Sequence, residues 1–298
     1  MRAWIVASIL GVAALGGPAY AELSQPYRAL LSNALASGNE AEIATIAKYL
    51  RQASPADTAE IDAMIAEHST QAAAAKEEKL RQAGFFDNWK GEGQAGAFLT
   101  TGNSETSGVT VGLALTKEGL RWRFKFRALA DYQRDNGETS RNQILVGFEP
   151  NYKFDERLFA FGLAQYERDR FQGFTARETL GGGLGYRLIA TDRVTFDVKA
   201  GPTWRHTEFV NALSDDTIDA LIGANLAWQI SDTFKLTEDA SAYLGSGNSS
   251  LMSLTALDAK LGGAFSARLS YQINYESDPP LGFGKTDTQS RVTLVYGF

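Results

Sequence analysis

From Trp89 to Phe298 the chain alternates between apolar and polar residues with a period of two, and that alternation constrains the fold more than any other feature. Residues 120–134 read LRWRFKFRALADYQR. Trp122, Phe124, Phe126, Ala128, Ala130 and Tyr132 share one face, and Arg121, Arg123, Lys125, Arg127 and Asp131 share the other. Successive side chains of a β-strand point to opposite sides, so this is strand periodicity. It recurs in Val194–Trp204, Ile218–Ile230, Phe265–Tyr275 and Val292–Phe298. Cutting at turn signals predicts twelve strands: 89–101, 106–116, 120–134, 139–153, 157–171, 175–189, 193–209, 215–230, 233–246, 249–261, 264–277 and 285–298.

Strands of a soluble sandwich average about five or six residues, and these run to a dozen or more. Tight turns fall at even junctions (116–119, 154–157, 190–193, 231–233), and longer polar connections at odd ones (102–107, 135–139, 207–216, 277–286). Trp122, Tyr132, Tyr152, Tyr186, Trp228 and Tyr275 lie toward strand ends, as interfacial girdles require. The expectation is an all-β chain whose main domain, residues 86–298, is a transmembrane antiparallel β-barrel of about twelve strands. Closure removes the exposed edges that so much strand would otherwise present. An even strand number puts both ends of the barrel domain on its short-turn, periplasmic side. For the hairpin around Asn136-Gly137, a two-residue turn would set the basic row against Ile144, Val146 and Phe148. The alternation therefore predicts an odd loop with a glycine bulge, leaving Glu149 opposite Arg123 or Lys125.

The residues before the barrel read differently. Met1–Ala21 combines Arg2, an apolar run over 3–15, a Gly-Gly-Pro break and Ala19-Tyr20-Ala21, the pattern of a cleaved secretory signal peptide. The apolar run is short of the ~20 residues a spanning helix needs. Residues 22–85 have helical spacing, with a capping box predicted at Ser37–Glu40, a second start at Ser54-Pro55 and a C-cap at Gly84. This region reads as a periplasmic spacer, with a docking module for a periplasmic partner or a barrel plug as alternatives.

Composition removes several function classes. There are no cysteines and two histidines, His68 and His206, so no thiolate centre or multi-histidine metal site is expected. A net charge of −6 argues against nucleic acid as a partner. No cofactor is expected. Lipid-hydrolysing barrels need a Ser–His pair. His206 is the only barrel histidine, and its parity places it with Trp204 on the outer face, so no catalytic residue is assigned. Asp215, Asp216 and Asp219 do not match a calcium loop, and Gly181-Gly182-Gly183 lacks the lysine of a phosphate loop.

The polar face is the informative one. Arg121, Arg123, Lys125, Arg127, Arg141, Lys153, Arg187, Lys199, Arg205, Arg268 and Arg291 are candidates for the lumen, with Asp131, Glu149, Asp197, Asp219, Asp239 and Glu276 as acids on the same side. The four cations 121–127 repel one another unless acids or water intervene. The lumen there is accordingly expected to be hydrated, or filled by acidic groups, which the helical region could supply. Either the face braces a nearly closed barrel or it lines a narrow, weakly anion-preferring passage; twelve strands lie between the filled eight-stranded and the open sixteen-stranded barrels.

Three segments carry a family resemblance: Thr101-Gly102-Asn103-Ser104-Glu105-Thr106, Tyr166-Glu167-Arg168-Asp169-Arg170-Phe171 and Gly181-Gly182-Gly183-Leu184-Gly185-Tyr186-Arg187. Through them Trp89–Phe298 resembles the family of salt-induced outer-membrane proteins, a domain of unknown function. The resemblance implies a barrel in the Gram-negative outer membrane, in contact with lipid and lipopolysaccharide. The ending Tyr296-Gly297-Phe298 looks like the aromatic signal read by the outer-membrane assembly machinery. The functional expectation is a structural or stress-related envelope barrel with modest small-solute passage at most. A dedicated small-solute channel is the alternative, and a lipid-modifying enzyme a third reading.

Overall fold

The computed structural model describes residues 23–82, 84, 87–100 and 106–298. The signal-peptide reading and most of the first resemblance segment lie outside these residues. The chain divides into two compact units between Lys79 and Leu80.

The first unit is helical: α1 (Gln25–Ser37), α2 (Glu40–Ala53) and α3 (Thr58–Gln82), which begins after a 3-10 turn at Pro55–Asp57. Leu23, Leu31, Leu35, Ala47, Leu50 and Ile61 form its small core. The predicted capping box is corrected. Ser37 is the last residue of α1, Gly38 ends that helix in the left-handed region (φ 66°), and Asn39 caps α2 by accepting from the backbone N–H groups of Ala41 and Glu42. Asparagine is as good an N-cap as serine and leaves the glycine free for the preceding helix. Glu60 accepts the Leu23 N–H at 2.7 Å. That bond and the Arg28 guanidinium hold its carboxyl below the usual carboxylate range.

The second unit is a closed barrel in which every strand pairs antiparallel with its sequence neighbours and the first pairs with the last. The strands are β1 (Trp89–Thr100), β2 (Thr106–Glu118), β3 (Trp122–Asp135), β4 (Glu138–Lys153), β5 (Leu158–Asp169), β6 (Phe174–Ala190), β7 (Val194–Phe209), β8 (Ser214–Gln229), β9 (Phe234–Leu244), β10 (Ser250–Gly262), β11 (Phe265–Glu276) and β12 (Thr286–Gly297). Phe298 completes the seam: its N–H donates to the Gly91 carbonyl, and its carbonyl accepts the Gly91 N–H.

The barrel is inside-out by the standards of a water-soluble fold. Ile218 is 78% and Val292 73% exposed, whereas Asn151 and Thr179 are 0% and 1% exposed. A continuous apolar outer band around a polar interior is stable when hydrocarbon surrounds it. Aromatic rings cluster on the outer surface. Trp122 stacks on Phe124 at 5.8 Å and meets Tyr152 edge-on at 5.2 Å, and Phe265 lies 5.0 Å from Tyr296.

Loop lengths differ less between the two ends than the sequence suggested. The junction expected over 135–139 is a two-residue turn at Asn136-Gly137, both with positive φ (48° and 84°). The odd loop is therefore corrected. Parity is restored inside the strand, where Arg134 pairs with Thr139 but Gln133 pairs with Arg141, leaving Ser140 as a bulge. Lys125 then faces Glu149 in register. The junction expected over 207–216 is mostly strand, and the one long connection among the described residues is 277–285. At the other end Asp155 fixes the β4–β5 turn by accepting the N–H groups of Arg157 and Leu158, which lower its pKa.

Candidate functional site in the lumen

Side chains on strands that are not neighbours in the ring can meet only through the interior, so contacts between such strands map the lumen directly. The inward row of β3 supplies the first layer. Arg123 reaches Asp197 on β7 at 3.4 Å. Lys125 lies 3.3 Å from Glu149, which also binds Lys199 of β7. Asp197 in turn takes a two-pronged bond from Arg187. The acids that offset Arg123 and Lys125 thus come from the barrel's own walls. An unpaired charge so enclosed would be costly, and pairing with hydrogen bonds on both sides removes most of that cost.

A second network joins β12 to β3, β4 and β11. Arg291 binds Asp131 of β3 at 3.0 Å and Gln272 of β11 at 2.9 Å, and Arg141 of β4 donates to Gln289 of β12. Arg268 forks onto Asp258 and adds Glu92 of β1 at 2.7 Å. Arg205 pairs with Asp219 and lies 4.6 Å from the Tyr243 ring centroid.

Of the sequence candidates, Arg123, Lys125, Arg127, Arg141, Glu149, Lys199, Arg205, Arg268 and Arg291 sit on the inward rows that make these contacts. Lys153 lies at the rim, bonded to Glu118 and the Gly119 carbonyl. Arg121 is a correction. It lies before β3 begins, is exposed, and donates to the hydroxyl of Tyr152, whose ring belongs to the outer aromatic cluster. The alternation was extended one residue too far, into a turn. Tyr296 and Phe298 stack at 6.2 Å beside the seam. Among the carboxylates considered for calcium, Asp216 bonds outward to His206 at 3.0 Å while Asp219 faces inward. The group is therefore split between the two faces. His206 stacks on Trp204.

The sequence reading missed the innermost device. Arg177 of β6 binds Glu276 of β11 at 2.7 Å, both side chains under 10% exposed. The strands are five apart around the ring, so the pair bolts one wall to the other. Arg177 also lies 4.0 Å from the centroid of Phe174, which is buried. The signal was available: Arg177 has the parity of Arg187 on the same strand. Next to this bolt the 277–285 connection folds over the mouth, where Pro280 and Phe283 lie against Gly173 in the β5–β6 turn.

Free space is graded along the axis. At the short-turn end a cavity of about 310 Å³ is bounded by Asp232, Lys235, Asp258 and Lys260. At mid-height, cavities of about 240 and 210 Å³ share Ala114, Arg127, Asp239 and Met252. Toward the long-loop end a cavity of about 30 Å³ lies among Gln165, Arg177, Arg205, Tyr243 and Glu276. Beside the mid-height space, Phe159, Phe161, Leu221 and Tyr243 form an apolar filling. Gly185 is what admits it: a Cβ there would lie 2.2 Å from the Phe159 ring.

Known proteins frame this arrangement. The chain is 24% identical over 210 residues to the uncharacterized protein YdiY of Escherichia coli (strain K12), covering 70% of this chain and 82% of that one. Among solved structures it is similar to an outer membrane channel from Pseudomonas putida F1 (9% identity, TM-score 0.43, 73% of this chain and 100% of that chain). It is also similar to the NanC porin (11% identity, TM-score 0.39, 70% and 97%). Residues 93–298 match the family described as "Protein of unknown function, DUF481", and the chain belongs to that family.

Proposed function

We propose that this protein is an exported outer-membrane barrel that braces the envelope under stress and admits small solutes from one side only. In this reading residues 1–21 direct export and the helical region lies in the periplasm, where a periplasmic partner can meet it. Tyr296 and Phe298 at the seam serve as the signal for the assembly machinery. The outer apolar band meets lipid and lipopolysaccharide.

The observation that carries the reading is the Arg177–Glu276 bolt, with about 30 Å³ of space around it. A lumen crossed by a buried ion pair at one end and roomy at the other is a vestibule rather than an open pore. A dedicated anion-preferring channel is the second reading. It is weakened by the pairing of Lys125, Lys199, Arg268 and Arg291 with carboxylates, which cancels most of the field that would select anions.

Planar-bilayer conductance tests this. The wild type should be nearly silent. The double variant Arg177→Ala/Glu276→Ala, with 278–284 shortened to a tight turn, should conduct at least several-fold more. A wild type already conducting at the level of that variant would overturn the reading.

A further inference from the structure

Arg127 and Asp239 are the two charged residues that line both mid-height cavities. Arg127 donates to the neutral Gln165 amide at 3.3 Å, and Asp239 accepts from the neutral Asn225 amide. Among the described residues neither forms an ion pair. Their strands, β3 and β9, are six apart in either direction around the ring, so they project from opposite walls. Both line both mid-height cavities. Here a guanidinium and a carboxylate face each other across space. Two fixed opposite charges on facing walls create a field across the passage, which a small dipole can align with and a simple ion cannot fully use.

The remaining lining narrows the ligand further. Leu129, Leu145, Met252, Leu254 and Ala256 contribute an aliphatic side to the 240 Å³ cavity. Pockets for small molecules combine such apolar walls with a few convergent polar groups. Arginine offers a planar fork matched to a carboxylate, and Asp239 can accept from an ammonium.

We propose that the waist of the lumen binds a small zwitterion of the α-amino-acid type with an aliphatic side chain. Arg127 takes its carboxylate, Asp239 takes its ammonium, and the leucine and methionine side chains receive its hydrocarbon part. The inference rests on the vestibule reading, since the ligand enters through the short-turn mouth.

The test uses the full-length chain in detergent micelles and isothermal titration calorimetry, with L-leucine as the probe. Two control compounds each carry half of its charge: 4-methylpentanoate and 3-methylbutylamine. Leucine should bind at least about tenfold more tightly than either control, a difference of about 1.4 kcal/mol. Arg127→Gln and Asp239→Asn should each weaken leucine about tenfold, with folding verified by heat-modifiable migration. Should Arg127→Gln fail to fold, Asp239→Asn decides alone. Equal affinity for leucine and 4-methylpentanoate would reduce the site to an anion site and overturn the proposal. Unaltered leucine binding in the folded variants, or no leucine binding by the wild type, would overturn it as well. Because binding is measured without a membrane, it separates from the conductance result. A silent barrel that ignores leucine sinks only this inference; an open pore sinks the vestibule reading whatever it binds.

Discussion

Glu238 interrupts the apolar outer row of β9 between Leu236 and Ala240. It lies on the outer row of β9, pairing in register with Leu226 and Thr255, and it occupies the lipid-facing side near the middle of its strand. Ser253 Oγ donates to one carboxylate oxygen at 2.6 Å, and Thr255 Oγ1 donates to the other. An ionisable group facing hydrocarbon is costly unless hydrogen-bonded, and two hydroxyls from β10 supply those bonds. Replacing Glu238 with Leu should therefore stabilise the barrel by roughly 1 kcal/mol, since acidic side chains on the lipid face cost less than basic ones. Thr255→Ala should cost about 1–2 kcal/mol in the wild type, where it strips a bond from a lipid-facing carboxylate, and little in the Glu238→Leu background. Denaturant titration in lipid vesicles gives the four stabilities of that double-mutant cycle. Equal Thr255→Ala penalties in both backgrounds would show that the hydroxyl does not serve the carboxylate.

At the scale of elements, the two-residue period located all the strands within a few residues, because each long strand buries one face and a register slip would turn every side chain over. What the period does not specify is where parity is reset. The β3–β4 hairpin needed one extra residue, and the Asn136-Gly137 pair is so well suited to positive φ at both central positions that the turn closed there. The correction therefore moved into the strand, to Ser140. Deleting Ser140 removes the extra residue and leaves Arg134 opposite Thr139 and Gln133 opposite Arg141, now in strict alternation. The expected result is that the heat-modifiable folded species persists. Deleting Val146 instead, where the pairing is regular, should turn Arg141 and Gln143 toward lipid and abolish that species. Loss of folding in the Ser140 deletion would mean that this residue does more than restore parity. Arg121 shows the complementary limit: alternation alone cannot say at which residue a strand gives way to a turn, so a cation at the junction is placed on the wrong side.

For the whole molecule, the cross-lumen partners were the part that sequence could not supply. Arg123–Asp197, Arg177–Glu276 and Arg291–Asp131 are separated by 74, 99 and 160 residues. Each depends on which strands closure brings within reach across the lumen, which is a property of the closed sheet and its fillers rather than of any strand. Inward charges were legible from parity; their pairing was not. The same closure makes the two mouths unequal, and this gives the last prediction its form. Because the natural chain has no cysteine, a single Cys reports accessibility without background. Lys235→Cys lies in the roomy cavity at the short-turn end, beyond the bolt as seen from the long-loop end. A membrane-impermeant charged thiol reagent added to intact cells should leave this cysteine unlabelled, while the same reagent should label it once the outer membrane is permeabilised. Adding Arg177→Ala/Glu276→Ala should make it reactive from outside, because the space around the pair is what remains to be opened. A cysteine placed instead at Leu281, which is fully exposed on the long-loop side, should label from outside in every background. Rapid external labelling of Lys235→Cys in the otherwise wild-type barrel would mean that solute passes the bolt freely, and that Arg177 and Glu276 brace the wall without closing the lumen.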